Sequence, residues 1–396
     1  MDAGSDFLSF KSKMMIKKLL LSLLLLSPLA VYAQLTNSGY YRIQNSATER
    51  YFVMVDDTAW IMGTASTQDI NTGALKLIKP FAERVATNPA TICMLTIASK
   101  SNTVYKCNVS GQGLDLYARV KSYLEFRQRS DGTYTIGGTG SAGGISLTKY
   151  LTDSELRGNE APLYTAEKNL DEYAYWNVRP INDKYYFGFK PTIKASLDGA
   201  DSLYYTTTYA SFAFLLNDNV KAYYITEVRD GYAKVKQLSY TAPGVTPVIV
   251  ECKSTVAANN KVSLTTSTAT ATGNVLKGNY FCNDVKASTG HRNVTEYKSN
   301  TMRVLGRAAD GRLAFVKSSD LQYLPANSCY LQVPAGSPDV IYVVKEIPAG
   351  VETIKAPETK VQHPGVYSLS GQRLGNSTEG LQKGVYVVDG RKVVIK

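Results

Sequence analysis

From Leu35 onward the chain runs as short stretches in which apolar and polar positions alternate, separated by Gly, Asn and Asp. A period of two places successive side chains on opposite faces of an extended strand, so the pattern predicts a mostly β protein. One segment departs from it. Residues 72–86 carry Leu75, Leu77, Ile78, Phe81 and Val85 at roughly helical spacing, and Pro80 must start or interrupt a helix there, which predicts one short helix. Three Tyr-rich stretches, 39–43, 132–136 and 184–189, are each followed by another apolar run. One such unit cannot bury its apolar face alone, and three of them predict a closed threefold packing.

Beyond residue 215, apolar runs around 222–228, 248–251, 279–282, 313–316 and 340–344 predict a second β domain over 216–345, a sandwich or small barrel by their spacing. The low-complexity polar stretch 263–274 reads as a mobile loop inside it. Residues 346–364 have neither periodicity and read as a linker. At the end, the apolar runs 384–388 and 391–395 flank Asp389-Gly390, a pair that supplies the positive φ values of a tight turn, so a β-hairpin is expected within 365–396.

Ahead of the strands, Lys17 and Lys18 precede the apolar run 19–26, and Val31 and Ala33 stand three and one residues before a cut. A basic start, a short apolar run and small residues form a secretory signal pattern. The run is shorter than the roughly 20 residues that span a bilayer. Cleavage is expected after Ala33, with the segment before Met14 or Met15 an upstream extension, so that 1–33 is removed and 34–215 forms the first domain. No Cys follows the cut, so a lipid anchor is not expected.

Composition narrows the chemistry. Of 396 residues, 44% are hydrophobic and 19% charged, which supplies a core. Tyrosine (28) far outnumbers phenylalanine (11), as suits half-exposed pleated surface. The net charge of +11 becomes +9 once 1–33, with its four lysines and two aspartates, is removed. No run of five basic residues occurs, so no nucleic-acid partner is expected, whereas an anionic surface or polysaccharide would be attracted. With only two histidines and widely spaced cysteines, no metal site and no cofactor are expected. Five cysteines leave at least one thiol unpaired, and Cys93 with Cys107 is the expected bridge.

Residues 35 to about 215 resemble the β-trefoil, ricin-like modules of bacterial secreted proteins, chiefly in GYYRIQNSATERYFVM (39–54) and YWNVRPINDKYYFGFKP (175–191). The resemblance implies a trefoil fold. The Gln-x-Trp signature of the sugar-binding members is missing, since Trp60 follows Thr58-Ala59 and Trp176 follows Ala174-Tyr175, so their sugar site does not carry over. The tail, with GVYSLSGQRL (365–374) and GVYVVDGRKVVIK (384–396), is similar to the C-terminal sorting signal of type IX secretion. That similarity implies secretion machinery as a partner and an extracellular or outer-membrane-surface location, or the periplasm if the signal does not operate.

The candidate chemistry is sparse. Residues 138–143 spell G-x-G-x-x-G, but a strand-like stretch follows where phosphate binding needs a helix N-terminus. A Cys-His hydrolase would need His291 with Cys282, without a recognisable nucleophile elbow, and His363 sits in the linker. Paired carboxylates for glycoside hydrolysis could come from Asp56, Asp57, Asp115, Asp171 or Glu172, and spacing does not choose among them. No catalytic residue is assigned. In 119–129, Arg119, Lys121, Tyr123, Glu125, Arg127 and Arg129 share one strand face and Val120, Leu124 and Phe126 the other. The basic residues and Tyr123 form a candidate face for anionic glycans, by guanidinium forks and ring stacking. Trp60 beside Asp56 and Asp57 is a candidate platform for a neutral sugar. Of the pairs Tyr204-Tyr205 and Tyr223-Tyr224, alternation should bury one ring each. The expected function is non-catalytic binding of glycan or of host or matrix surfaces by a secreted protein. A secreted hydrolase acting on glycan, a trefoil-type protease inhibitor and a component of an extracellular assembly are the alternatives.

Overall fold

The computed structural model describes residues 35–54, 75–78, 83–111, 114–115, 124–142, 145–153, 163–166, 169–267, 269–280, 295–348, 365–368, 372–388 and 391–395. The leader reading of 1–33 and the linker reading of 346–364, apart from 346–348, lie outside them. These residues form a mostly β protein. Two compact units divide the chain, 1–346 and 347–396.

The first strands are β1 (Gly39–Asn45), β2 (Tyr51–Met54), β3 (Leu75–Ile78), β4 (Cys93–Ser101), β5 (Val104–Gly111) and β6 (Leu114–Asp115). They continue as β7 (Leu124–Gln128), β8 (Tyr134–Ala142), β9 (Ile145–Thr152), β10 (Leu163–Ala166) and β11 (Trp176–Pro180). Pairing runs β1-β4-β5-β7-β8-β11 and returns to β1, because β11 pairs with both β8 and β1. Three excursions leave this ring: β2-β3 after β1, β6 after β5, and β9-β10 after β8. Period two makes the ring close on a core, since Tyr41, Ile43, Leu95, Phe126, Ile136 and Val178 all point inward. Trp176 is fully buried, stacks on Phe52 at 4.6 Å and donates its indole N–H to the Leu151 carbonyl at 3.1 Å. Arg50 and Asp153 form a buried ion pair that ties the turn after β1 to the end of β9.

Two sequence readings change here. Among the described residues of 72–86, the expected helix is a strand and a single turn: Leu75, Leu77 and Ile78 lie in β3, paired with β2, and Glu83–Ala86 is helical. Leu75 and Leu77 fit a period of two as well as a helical one, and an available partner strand decides between them. The Tyr-containing stretch 184–189 is not a strand of this ring, in which β11 pairs with β1 and β8. Residues 181–185 are bends, and Phe187–Gly188 joins a different sheet.

That sheet belongs to a second region, which the pairing starts at 187 and not at 216. Its strands are β12 (Phe187–Gly188), β13 (Ile193–Ser196), β14 (Ser202–Thr208), β15 (Ala213–Leu215), β16 (Val220–Arg229), β17 (Tyr232–Gln237), β18 (Thr241–Ala242) and β19 (Val248–Cys252). They are followed by β20 (Lys261–Val262), β21 (Leu264–Thr265), β22 (Leu276–Asn279), β23 (Met302–Arg307), β24 (Leu313–Val316), β25 (Ser328–Gln332) and β26 (Val340–Val344). Ten of these make one sheet in the order β13-β14-β19-β16-β17-β26-β24-β23-β25-β22. It curls back on itself: Ser196 in β13 bridges to Arg312 just before β24, and Thr207 Oγ1 in β14 accepts the N–H of Cys329 in β25 at 3.2 Å. The enclosed core includes Tyr205, Ile225, Ile249, Phe315, Leu331 and Ile341.

The outer face of β16 and β19 is buried too, under the small sheet β18-β15-β21 and an aromatic cluster. Phe187 meets Phe189 and Phe212 edge to face at 5.1 and 5.2 Å. Both rings of Tyr223-Tyr224 are therefore buried, against the expected in-and-out pair. Stretch 263–274 is only partly a loop, because Leu264–Thr265 is β21 and pairs with β15.

The second unit contains β27 (Val366–Tyr367), β28 (Arg373–Gly375), β29 (Gly384–Val388) and β30 (Arg391–Ile395), in the order β28-β27-β29-β30. The terminal hairpin is present, with Val388 opposite Arg391.

Cys93, Cys107, Cys252 and Cys329 are free and buried, so the expected Cys93–Cys107 bridge is absent. The register explains it, placing Cys93 opposite Tyr41 and Cys107 opposite Ile97. Cys282 lies outside the described residues. Burial pushes the Cys93, Cys107 and Cys252 thiols up to about 12, and Tyr51 and Tyr134 likewise to about 12. A folded-state value above the unfolded one gives stability that is complete below the unfolded pKa and is lost as pH rises through the folded one. The window therefore opens near pH 9 for the thiols and pH 10 for the tyrosines and closes near 12. Arg42, drawn down by burial to about 10, acts in the opposite sense as a single group. Thermal unfolding scans at constant ionic strength should show little change between pH 7 and 8.5 and a progressive fall from 9.5 to 11.5. A melting temperature flat across that range would show that these groups ionise without unfolding the chain.

Candidate functional site

A polar, open cleft of about 530 Å³ lies where the two regions of the first unit meet. Its walls come from the start of β1, from the connector 181–186 and from the segment around β20 and β21. Alternation along β1 is what brings the parts together. Tyr41 and Ile43 point into the ring, so Tyr40 and Arg42 point out of it, toward the second region and the connector.

Arg42 holds the connector in place. Fully buried, it donates from Nη1 to the Tyr185 and Tyr186 carbonyls at 2.8 and 2.9 Å, from Nε to Thr91 Oγ1 at 2.8 Å and from Nη2 to the Val85 carbonyl at 3.2 Å. A planar fork with fixed donor directions suits several carbonyls at once, and a lysine would not replace it. The connector turn is completed by Asn182, whose Oδ1 accepts the N–H groups of Lys184 and Tyr185 at 3.0 and 2.9 Å. Phe187 then enters β12 opposite Val262.

On the opposite wall, the Tyr40 hydroxyl donates to the Thr265 carbonyl at 3.0 Å, and burial raises the pKa of that hydroxyl. Lys261 is the cation among the described lining residues. Its Nζ donates to the Asp183 carbonyl at 3.2 Å and stands 4.7 Å above the Tyr186 ring. Asn217 Nδ2 donates to the Lys261 carbonyl at 2.9 Å, fixing the backbone under that side chain. The cleft thus presents aromatic rings, one carboxylate, one ammonium, side-chain amides and hydroxyls. Such groups hydrogen-bond polyhydroxylated molecules and stack on their C–H faces.

The residues selected from the sequence are distributed elsewhere. Trp60, Asp56, Asp57, Arg119, Lys121 and Tyr123 lie outside the described residues, as do His291 and His363. Leu124 and Phe126 are buried and Arg127 is half-exposed, so the expected alternation holds within β7. Arg127 lies 3.4 Å from Glu125, and Arg129 lies 3.1 Å from Asp131 and stacks 3.3 Å above the Tyr175 ring. Both guanidinium charges are thus offset by local carboxylates. Asp171 caps the turn Glu172–Ala174 by accepting the Tyr173 N–H at 3.1 Å. Residues 138–142 belong to β8 and are followed by strand β9, the context that excludes a phosphate loop. Tyr205 and Tyr223 both donate to the buried Glu251 carboxylate, at 2.9 and 3.1 Å, and their burial, joined by that neighbouring charge, pushes both hydroxyls strongly upward in pKa.

Sequence reading missed the cleft because its walls come from three segments more than 70 residues apart in the chain. The one local signal was Asn182-Asp183 beside Tyr185-Tyr186, a polar turn next to an aromatic pair. No protein-family model matches the chain, and neither the curated proteins nor the solved structures searched contain a significant match to it.

Proposed function

We propose that this chain is a secreted, non-catalytic binding protein that recognises glycan on a host, matrix or cell surface. In this reading residues 35–180 are a β-trefoil, and the tail 365–396 is an export signal of the type IX kind. The six-strand pairing path with three excursions supports the trefoil. The observation that carries the binding function is the junction cleft, with the Tyr186 ring, Asp183, Lys261 and the amide of Asn182 arranged around one open space. The basic face of Arg119, Lys121, Tyr123, Arg127 and Arg129 is a weaker candidate, because Glu125 and Asp131 already neutralise two of its members.

The test is a glycan array probed with the full secreted chain, with neutral, uronic-acid and sulfated polymers side by side. Retention of a defined glycan class without release of shortened products is expected. No retention of any glycan would overturn the reading. Turnover of a retained polymer would replace it with a hydrolase.

A further inference from the structure

The cleft carries one acid and one base among its lining residues, and this balance bears on which glycan it takes. This inference rests on the glycan-binding reading above. An acidic saccharide is best held by a lining with net positive charge, and the described lining has none to spare: Asp183 and Lys261 sum to zero, with one donor of the Lys261 ammonium on the Asp183 backbone carbonyl and the group above the Tyr186 ring. A carboxylate or sulfate in that space would share it with Asp183, and like charges in one site repel.

A neutral sugar meets no such obstacle. A carboxylate accepts two adjacent hydroxyls at once, an ammonium and a side-chain amide donate to ring and hydroxyl oxygens, and a tyrosine face stacks on a C–H surface. All of these functions converge here, and they come from both sides of the junction: Asp183 and Tyr186 from the connector, Lys261 and Thr266 from the second region, Ser38 and Tyr40 from the first. We propose that the junction cleft is the binding site for a neutral oligosaccharide, read through vicinal hydroxyls by Asp183 and stacked on Tyr186.

The experiment is titration of the full secreted chain with the neutral and acidic glycans of the array at 50 and 500 mM salt. Asp183→Asn, Tyr186→Ala and Tyr186→Phe are run alongside, with circular dichroism as a folding control. Neutral oligosaccharide should bind with affinity changed less than about twofold by salt, because no charge is neutralised. Asp183→Asn, a substitution of an exposed side chain, should weaken it at least tenfold, Tyr186→Ala likewise, and Tyr186→Phe should retain it. Binding restricted to acidic glycans and abolished at 500 mM salt would overturn this inference and leave the glycan-binding reading standing. Neutral binding unaffected by Asp183→Asn and Tyr186→Ala would place the site elsewhere and overturn it too. Absence of all glycan binding would remove the broader reading, and this one with it.

Discussion

Asp153→Ala is expected to destabilise the first region by about 3–5 kcal/mol, the cost of leaving a buried charge without its partner. The Asp153 side chain is 1% exposed and that of Arg50 5%. Arg50 Nε donates to Asp153 Oδ2 at 2.9 Å, a second arm meets Oδ1, and the Thr48 hydroxyl also reaches Oδ2. Asp153 further donates its backbone N–H to the Tyr173 carbonyl at 2.9 Å, so one residue links the turn after β1, the end of β9 and the approach to β11. Removing the carboxylate takes these acceptors from a guanidinium that is only 5% exposed. The measurement is the urea midpoint of the chain followed by tryptophan fluorescence, since Trp176 lies in the same core. Two further variants separate charge from shape. Asp153→Asn should lose less, because it keeps acceptor geometry at Oδ1. The double variant Arg50→Met with Asp153→Leu should recover most of the loss, because replacing both partners leaves no orphaned charge. A single-alanine effect below about 1 kcal/mol would mean that Arg50 finds water or another acceptor.

Arg42→Met should be comparably damaging, and its effect should reach the cleft. Methionine fills a similar volume but abandons the carbonyls of Val85, Tyr185 and Tyr186 and the Thr91 hydroxyl. Each buried acceptor left unpaired costs about 1–3 kcal/mol, offset in part by the relief of burying a guanidinium, so a net loss of about 3–5 kcal/mol is expected. Arg42 is drawn down to about 10 by that burial and still carries its proton at neutral pH. Because it holds the peptides on which Tyr185 and Tyr186 are mounted, the proposed glycan binding should fall in the variant even under conditions where it stays folded. Lysine should not rescue either property, since a single ammonium cannot reach acceptors in several fixed directions. Full stability of Arg42→Met would show that the connector is held by β12 pairing and the phenylalanine cluster alone.

Much of the architecture was legible along the chain because a period of two is a local property. The strands β1, β8, β16, β24, β26 and the terminal hairpin β29-β30 all fall on apolar runs visible in the sequence. The errors share a cause. Residues 75–78 satisfy two periodicities, and only the presence of β2 as a partner made them a strand. Proximity in the chain groups β13 and β14 with the first region, whereas they pair into the sheet of β19 and β16. The tyrosines at 223 and 224 alternate as expected, but the small sheet β18-β15-β21 covers the face that would otherwise meet water.

The sequence by itself determined the class of secondary structure, the terminal hairpin, the strand context that rules out a phosphate loop, and the segregation of Leu124 and Phe126 from their charged neighbours, because each depends on residues a few positions apart. Only the tertiary structure decided where Arg42 and Asp153 find their partners, why four cysteines stay unpaired, and that Tyr40, Asp183, Tyr186 and Lys261 line one cleft. Those outcomes depend on strand register and on contacts between segments separated by 43 to 225 residues, as in Arg42 with Val85 and Tyr40 with Thr265. A one-residue slip in register would reverse every side chain involved, so no local pattern encodes them.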